Sequence, residues 1–579
     1  MIKLLSNYLK PYWKFVLVVV LLLTFQAVMN LYLPNLNADI INNGVVKGDV
    51  DYIWKTGGLM LAVTCLVIIA SIISTYFASK TAMGFGRDLR NAVFEKVLSF
   101  SQAELDKFGV PTLITRNTND VHQMQMMVQI GLTMIVTAPI MAVGSIIMAL
   151  RQDVVLSYSI LIIVPLMGAV VGLMLNIATP LFRSVQQKID RVNQVLREKL
   201  MGVRVIRAFV KDDYEARRFD EANKDLMQTT LKVNRLMAFG IPSLMAIMNL
   251  AMVAIVWFGS IRIDSGAMPI GNLTAFLTYI MQIMISVMIA MGMFIMVPRA
   301  EASAERILSV LETEPSIKSS PDGKITRISV PKGLLEFRDV EFRYPGAERP
   351  VLRDISFTAE PGQFTAIVGS TGSGKSTLVN LIPRFYDVTD GQILLDGIDI
   401  REMPVEELRA KISLVPQKAF LFRGTVEENL RWGNDDATIE ELWHALEIAQ
   451  AKEFVVNMPG QLQAFIDQAG ANVSGGQRQR LSIARALVKK AEVYVFDDCF
   501  SALDFKTESL VRSSLREELK DATVIIVAQR VSSIMDADKI VVLNDDGTIA
   551  GIGTHDELLK TCRVYEEIVY SQLSKEEIA

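Results

Sequence analysis

The chain has 579 residues, too many for one hydrophobic core, so two or more domains are expected. Hydrophobic residues make up 51% and mean hydropathy is positive, an excess that sits in the first half and excludes a wholly soluble protein. A net charge of −4 with no basic tail gives nucleic acid no footprint, and the scattered Cys65, Cys499 and Cys562 form neither a metal spacing nor a disulfide framework, which suits a reducing cytoplasmic side.

The N-terminal "MIKLLSNYLKPYWK" is a short amphipathic segment without a small-residue cleavage site, and reads as an interfacial helix rather than a signal peptide. Six apolar stretches follow, at 15–37, 56–78, 128–150, 154–179, 240–261 and 272–297. Each can cross a hydrocarbon core of about 30 Å as a helix of about 20 residues. Between the second and third lie Lys80, Arg87, Arg90, Lys96, Lys107 and Arg116; between the fourth and fifth, basic residues run from Arg183 to Arg235. The opposite loops are short and nearly neutral. The positive-inside rule therefore places both long segments and both termini in the cytoplasm of a multi-pass protein of the plasma membrane. The long segments keep a helical pattern, so the spans are expected to continue past the bilayer as stalks.

This gives a membrane domain over 1–315 and a polar, Pro- and Gly-containing linker over 316–333 that includes "SSPDGKITRISVPKG". From 334 to 579 short apolar runs such as "QFTAIVG", "EVYVFD" and "ATVIIVAQ" alternate with helical stretches. That pattern predicts an α/β doubly wound sheet with a nucleotide at its strand ends.

The motif "GSTGSGKST", comprising Gly369, Ser370, Thr371, Gly372, Ser373, Gly374, Lys375, Ser376 and Thr377, follows the strand "FTAIV" and opens a helix. It fits the P-loop pattern in its proper context. The glycines let backbone N–H groups close around phosphates, Lys375 reaches the β and γ phosphates, and the Ser376 hydroxyl binds Mg²⁺. Asp497 ends a hydrophobic strand, as the Mg²⁺-directed acid of such a protein should. Tyr344 precedes the P-loop at a distance suited to a platform for a base. Gln417 follows a strand, and Ser474, Gly475, Gly476 and Gln477 stand just before a helix, a second anion-ready start. Two such sites become economical if a neighbouring chain offers its P-loop to this Ser-Gly-Gly.

Motif by motif, the chain resembles a half-transporter of the ABC exporter family over essentially its whole length. The match comprises a Walker A at 369–377, a Q-loop at Gln417, the signature "VSGGQ" at 473–477, a Walker B at 493–497 and the D-loop "SALD" at 501–504. The resemblance implies six transmembrane helices in the type IV exporter fold, fused to a P-loop α/β nucleotide-binding domain. It also implies ATP with Mg²⁺ held by Ser376, Gln417 and Asp497, and two ATPs sandwiched between two such chains. Each ATP then lies between one Walker A and the other chain's Ser474, Gly475, Gly476, Gln477 and Asp504. Short coupling helices that move the spans are expected near 103–112 and 211–219.

Two departures bear on chemistry. The family's catalytic glutamate after the Walker B aspartate is here Asp498, and its switch histidine is here Gln529, in "VAQRVSS". Aspartate is one methylene shorter, so its carboxylate retracts by about 1.5 Å, and a misplacement of about 1 Å can cost on the order of 10²-fold. Glutamine can hydrogen-bond a γ-phosphate but cannot shuttle a proton. None of the three histidines, His122, His444 and His555, lies near this position in sequence. The expectation is a site that holds ATP·Mg²⁺ and hydrolyses it poorly. The intact signature would then complete a competent site on a partner half-transporter that carries the Glu and His. A further departure is "DQAGAN" at 467–472, where the family often has a "GERG"-like loop.

The cargo is less legible. Met281, Met284, Met288 and Met291 fall on one helical face of the sixth span, an adaptable surface for a hydrophobic small molecule or a membrane lipid. The spans carry almost no charge, which argues against an ion or sugar-phosphate path. Gln26, Asn30 and Gln282 are candidate polar contacts. Export of a peptide or a dedicated metabolite, and an ATP-binding regulatory subunit that transports nothing, are the alternatives.

Overall fold

Six helical stretches among the described residues are long and apolar enough to cross a membrane. The computed structural model describes residues 1–318 and 332–572, so most of the 316–333 linker lies outside the described residues. The longest helices, Val50–Leu98 and Asp212–Asp264, have 49 and 53 residues. At 1.5 Å per residue they are about 75–80 Å long, and a bilayer core takes up only about 30 Å of that. The remainder forms the stalks.

The chain divides into two compact units: Met1–Leu98 with Pro111–Thr313, and Ser99–Val110 with the chain from Glu314 onward. In the first unit, the helices Ile160–Met201 and Asp212–Asp264 pack chiefly on each other, while Ile270–Leu311 packs on Val121–Gln152. No water is available in hydrocarbon, so polar side chains find one another. The buried Tyr279 hydroxyl reaches the Leu31 carbonyl at 2.8 Å and Asn35 Oδ1 at 3.0 Å. Ser145 donates to Gln282 at 2.9 Å, whereas the buried Gln26 Oε1 has no partner among the described residues. The methionine face of the sixth span is split: Met284 is buried in the core, while Met281 and Met288 are exposed. The side chain of Met291 lies outside the described residues.

Short helices stand at or near both expected coupling elements. The first is the helix Gln102–Phe108. In the second loop the short helix is Val203–Ala208, and residues 212–219 are already the first turns of Asp212–Asp264. Gly202 ends the preceding helix and Val210, at φ 53°, breaks the next. Asp212, Asp213 and Glu215 then supply the acids that favour a helix N-terminus.

The second unit is built on a six-stranded sheet. Its strands, in order across the sheet, are Ile549–Gly553, Lys539–Leu543, Phe364–Gly369, Thr523–Val527, Val493–Asp497 and Ile412–Val415. All neighbours are parallel except the antiparallel edge strand Ile549–Gly553. The central strands are buried on both faces, hence their continuous apolar runs. A four-stranded antiparallel sheet that begins with Leu335–Phe342 packs beside it. The helix Gln102–Phe108 belongs to this unit. Ala103 packs on the apolar cluster around Phe337, and Asp106 accepts a hydrogen bond from the Tyr386 hydroxyl at 2.5 Å.

Candidate functional site

The P-loop leaves the end of Phe364–Gly369 and turns into the helix Lys375–Leu381. Gly372 and Gly374 have φ of 93° and 94°, which side chains with a Cβ rarely adopt. At Gly374 a Cβ would also stand 2.7 Å from Leu352. The Lys375 ammonium folds back on the loop and donates to the carbonyls of Gly369 at 2.8 Å and Ser370 at 2.6 Å. Burial pulls its pKa down, against the opposing pull of Asp498 and Asp497. The Ser373 hydroxyl is buried with no partner among the described residues.

Ser376 donates to Asp497 at 3.1 Å across the strand ends. Burial pushes the Asp497 carboxyl up; the Ser376 hydrogen bond opposes this and the neighbouring Asp498 adds to it. A buried carboxylate held above its ordinary range wants a cation. Asp497, the Ser376 hydroxyl and the Gln417 amide form an all-oxygen donor set of the kind a hard divalent ion takes. The orphan Ser373 hydroxyl and the unneutralised Lys375 likewise fit an anionic phosphate. The residues present therefore fit ATP with Mg²⁺.

Tyr344, half-buried, stands edge-on to Phe342 and Tyr386, with its hydroxyl 3.0 Å from that of Thr377. Asp498 is where sequence reasoning fell short. One of its oxygens, Oδ2, accepts from Gln417 Nε2 at 3.0 Å and from Gln529 Nε2 at 2.9 Å. Asp498 is 7% exposed and its backbone is left-handed, at φ 46°. Gln529 thus binds the carboxylate beside it. Two of the three histidines are engaged elsewhere: His444 lies 3.1 Å from Glu518 and His555 2.7 Å from Tyr565.

Ser474, Gly475, Gly476 and Gln477 open the helix Gly475–Val488 through a capping box. The Gln477 amide donates to Ser474 Oγ at 3.2 Å, and the Ser474 amide donates to Gln477 Oε1 at 3.0 Å. Ser474 and Gly475 are exposed. Among the described residues no hydrogen bond joins them to their own P-loop. Asp504 caps the helix Phe505–Glu518, accepting from the Thr507 amide at 3.0 Å, which holds its pKa below the ordinary range. In the 467–472 loop, Arg478 donates to the Ala469 carbonyl at 2.9 Å and Asn472 to that of Phe465 at 2.8 Å.

Tyr386 and Glu104 also escaped sequence reasoning. Burial would raise the Glu104 pKa, but hydrogen bonds from Ser101 and from the Ser316 amide outweigh it and hold the carboxylate low. The only sequence signal was the Ser101-x-x-Glu104 spacing of a capping box.

Comparisons with known proteins agree with this geometry. A family described as "ABC transporter transmembrane region" matches residues 16–287, and one described as "ABC transporter" matches 352–501. An uncharacterized ABC transporter ATP-binding protein of Mycobacterium tuberculosis is 46% identical, covering 99% of this chain and 98% of the relative. An ATP-dependent lipid A-core flippase of Chromobacterium violaceum is 32% identical, covering 99% and 97%. The structure of a bacterial Atm1-family ABC exporter with ATP bound superposes with a TM-score of 0.80 at 24% identity, covering 97% and 99%, which shows the shared fold. The chain belongs to the ABC transporter family: it is an ATP-driven exporter of the type IV fold, multi-pass in the membrane with its nucleotide-binding domain in the cytoplasm.

Proposed function

We propose that this chain is one half of a heterodimeric exporter of amphipathic drugs or lipids, and that its own Walker site holds ATP·Mg²⁺ but hydrolyses it poorly. The carrying observation is the clasp at Asp498. A general base needs carboxylate lone pairs for the proton of the attacking water, and the two amide hydrogens that Oδ2 of Asp498 accepts fix the carboxylate and weaken it as a base. Neither amide can take up a proton.

The binding parts remain. Tyr344 offers its ring to the base. Lys375 and the amides of Gly369–Thr377 neutralise and orient phosphate. Ser376, Gln417 and Asp497 would hold Mg²⁺, which when bound draws charge from the phosphate oxygens. The capped helix start at Ser474 and Gly475 is exposed and available to a second chain, and at Gly476 a Cβ would stand 3.3 Å from the carbonyl of Ala502, two residues ahead of Asp504. The partner half supplies the Glu and His. Membrane residues 1–315 then carry the cargo and 334–579 the nucleotide.

The test is ATPase of the purified chain alone, then co-expressed with the half-transporter encoded beside it. The reading expects little turnover alone and cargo-stimulated turnover in the pair. Brisk, cooperative hydrolysis by this chain alone would overturn it.

A further inference from the structure

In the membrane unit a cleft of about 690 Å³ opens between the helices Ile160–Met201, Asp212–Asp264 and Ile270–Leu311. That volume is in the range of small-molecule sites, about 300–1,000 Å³. Met174, Phe182, Met237 and Met288 contribute apolar wall, and methionine adapts its shape to varied hydrocarbon. Among the described residues two charged side chains line the cleft, Arg183 and Arg299, and no acidic one does. Among the described residues neither guanidinium is held in an ion pair.

Position gives this pairing its meaning. Arg183 follows the apolar stretch 154–179 and Arg299 follows 272–297, both at cytoplasmic ends. They therefore stand at the level of the inner-leaflet headgroups, while the methionine and phenylalanine wall extends toward the hydrocarbon. A guanidinium stays charged at any working pH and presents a planar fork that matches phosphate and carboxylate. A cationic amphiphile would bring its charge against two like charges, and a neutral one would leave both arginines unanswered.

We propose that this cleft binds an acidic phospholipid drawn from the cytoplasmic leaflet, its phosphate shared by Arg183 and Arg299 and its tail laid on the apolar wall. The inference rests on the amphipathic-cargo reading above and assigns it a charge preference.

The experiment is native mass spectrometry of the full chain in detergent, titrated with dioleoyl phosphatidylglycerol and, separately, dioleoyl phosphatidylcholine. At least tenfold tighter binding of the acidic lipid is expected in the wild-type protein. The double variant Arg183→Gln/Arg299→Gln should narrow that preference to under threefold, and Arg183→Lys/Arg299→Lys should keep most of it. Equal binding of both lipids by the wild type, a comparison that needs no variant to fold, overturns the proposal. So does an undiminished preference in the glutamine pair. Displacement of phosphatidylglycerol by equimolar inorganic phosphate would show a free-anion site and also overturns it. None of these outcomes touches the asymmetry of hydrolysis, which is read from the ATPase of the assembled pair without added lipid.

Discussion

Gln529 donates to Asp498 at 2.9 Å, on the same carboxylate oxygen that accepts from Gln417 at 3.0 Å. The two departures from the family pattern are therefore one structural unit: the amide occupies the oxygen that the shorter acid presents. Restoring the acid alone leaves both amides in place to clasp it. Asp498→Glu is thus expected to raise turnover at this site by about threefold or less, and Asp498→Glu with Gln529→His by on the order of 10²-fold, the usual worth of a positioned general base. The measurement is ATPase of pairs in which the partner's site has been silenced. Full recovery by the single variant would show the clasp to be irrelevant.

The same reading assigns the pair's turnover to the other site. Asp498→Ala should change ATPase of the assembled exporter by less than about twofold, whereas removing the partner's equivalent acid should abolish it, since a base contributes about 10²–10⁴-fold. Equal losses from the two variants would end the case for asymmetry.

In the proposed heterodimer Ser474 would bear on that competent site from across the interface. Ser474→Ala loses the cap that its hydroxyl gives the Gln477 amide, worth about 1 kcal/mol. Ser474→Arg blocks the helix start outright and should lower ATPase of the pair by about 10²-fold or more, the scale of losing a positioned anion donor. Binding of a fluorescent ATP analogue at this chain's own Walker site should persist. Wild-type turnover by Ser474→Arg would place the signature outside the working site.

Asp497 predicts a pH dependence. Burial holds its folded-state pKa above the unfolded value, so the folded domain binds that proton more tightly than the unfolded chain does. Without nucleotide, stability should rise as pH falls from neutrality through the raised pKa, and the ionised acid is a cost above it. Asp497→Asn removes the cost. It should raise the Tm of the nucleotide-free protein at pH 7.5 (about the usual assay pH) and flatten its acid-side gain. The added stability from Mg²⁺ with ATP should disappear. A lower Tm with that stabilisation intact would contradict the assignment.

Tyr386 and Asp106 offer a test of coupling. Burial, then the hydrogen bond to Asp106, pushes the Tyr386 pKa well up, so the hydroxyl stays a donor at every physiological pH. Tyr386→Phe leaves the helix Gln102–Phe108 without that anchor, at a cost of about 1–2 kcal/mol. Basal ATPase should hold within about twofold while cargo transported per ATP falls severalfold. An unchanged ratio would make the bond incidental.

The spans were legible because bilayer thickness imposes a length that composition reveals, and the P-loop because its glycines sit where backbone φ demands them. The break between Val203–Ala208 and Asp212–Asp264 was illegible because it depends on Val210 taking φ 53°, a choice no local preference announces. The Asp498 clasp was illegible for another reason. Gln417 and Gln529 lie 81 and 31 positions from Asp498, and only the parallel order of three strands brings them together. The methionine stripe misled because helical spacing gives a face but not what covers it. Met284 packs into the core while Met288 lines the cleft.

The left-handed backbone at Asp498 carries an evolutionary consequence. Aspartate and asparagine visit that region several-fold more readily than other side chains with a Cβ. If a partner carries hydrolysis, as proposed above, selection on this position turns from reactivity to conformational ease, and the shorter acid is the quieter tenant. Drift toward glutamate would then meet resistance from the main chain itself.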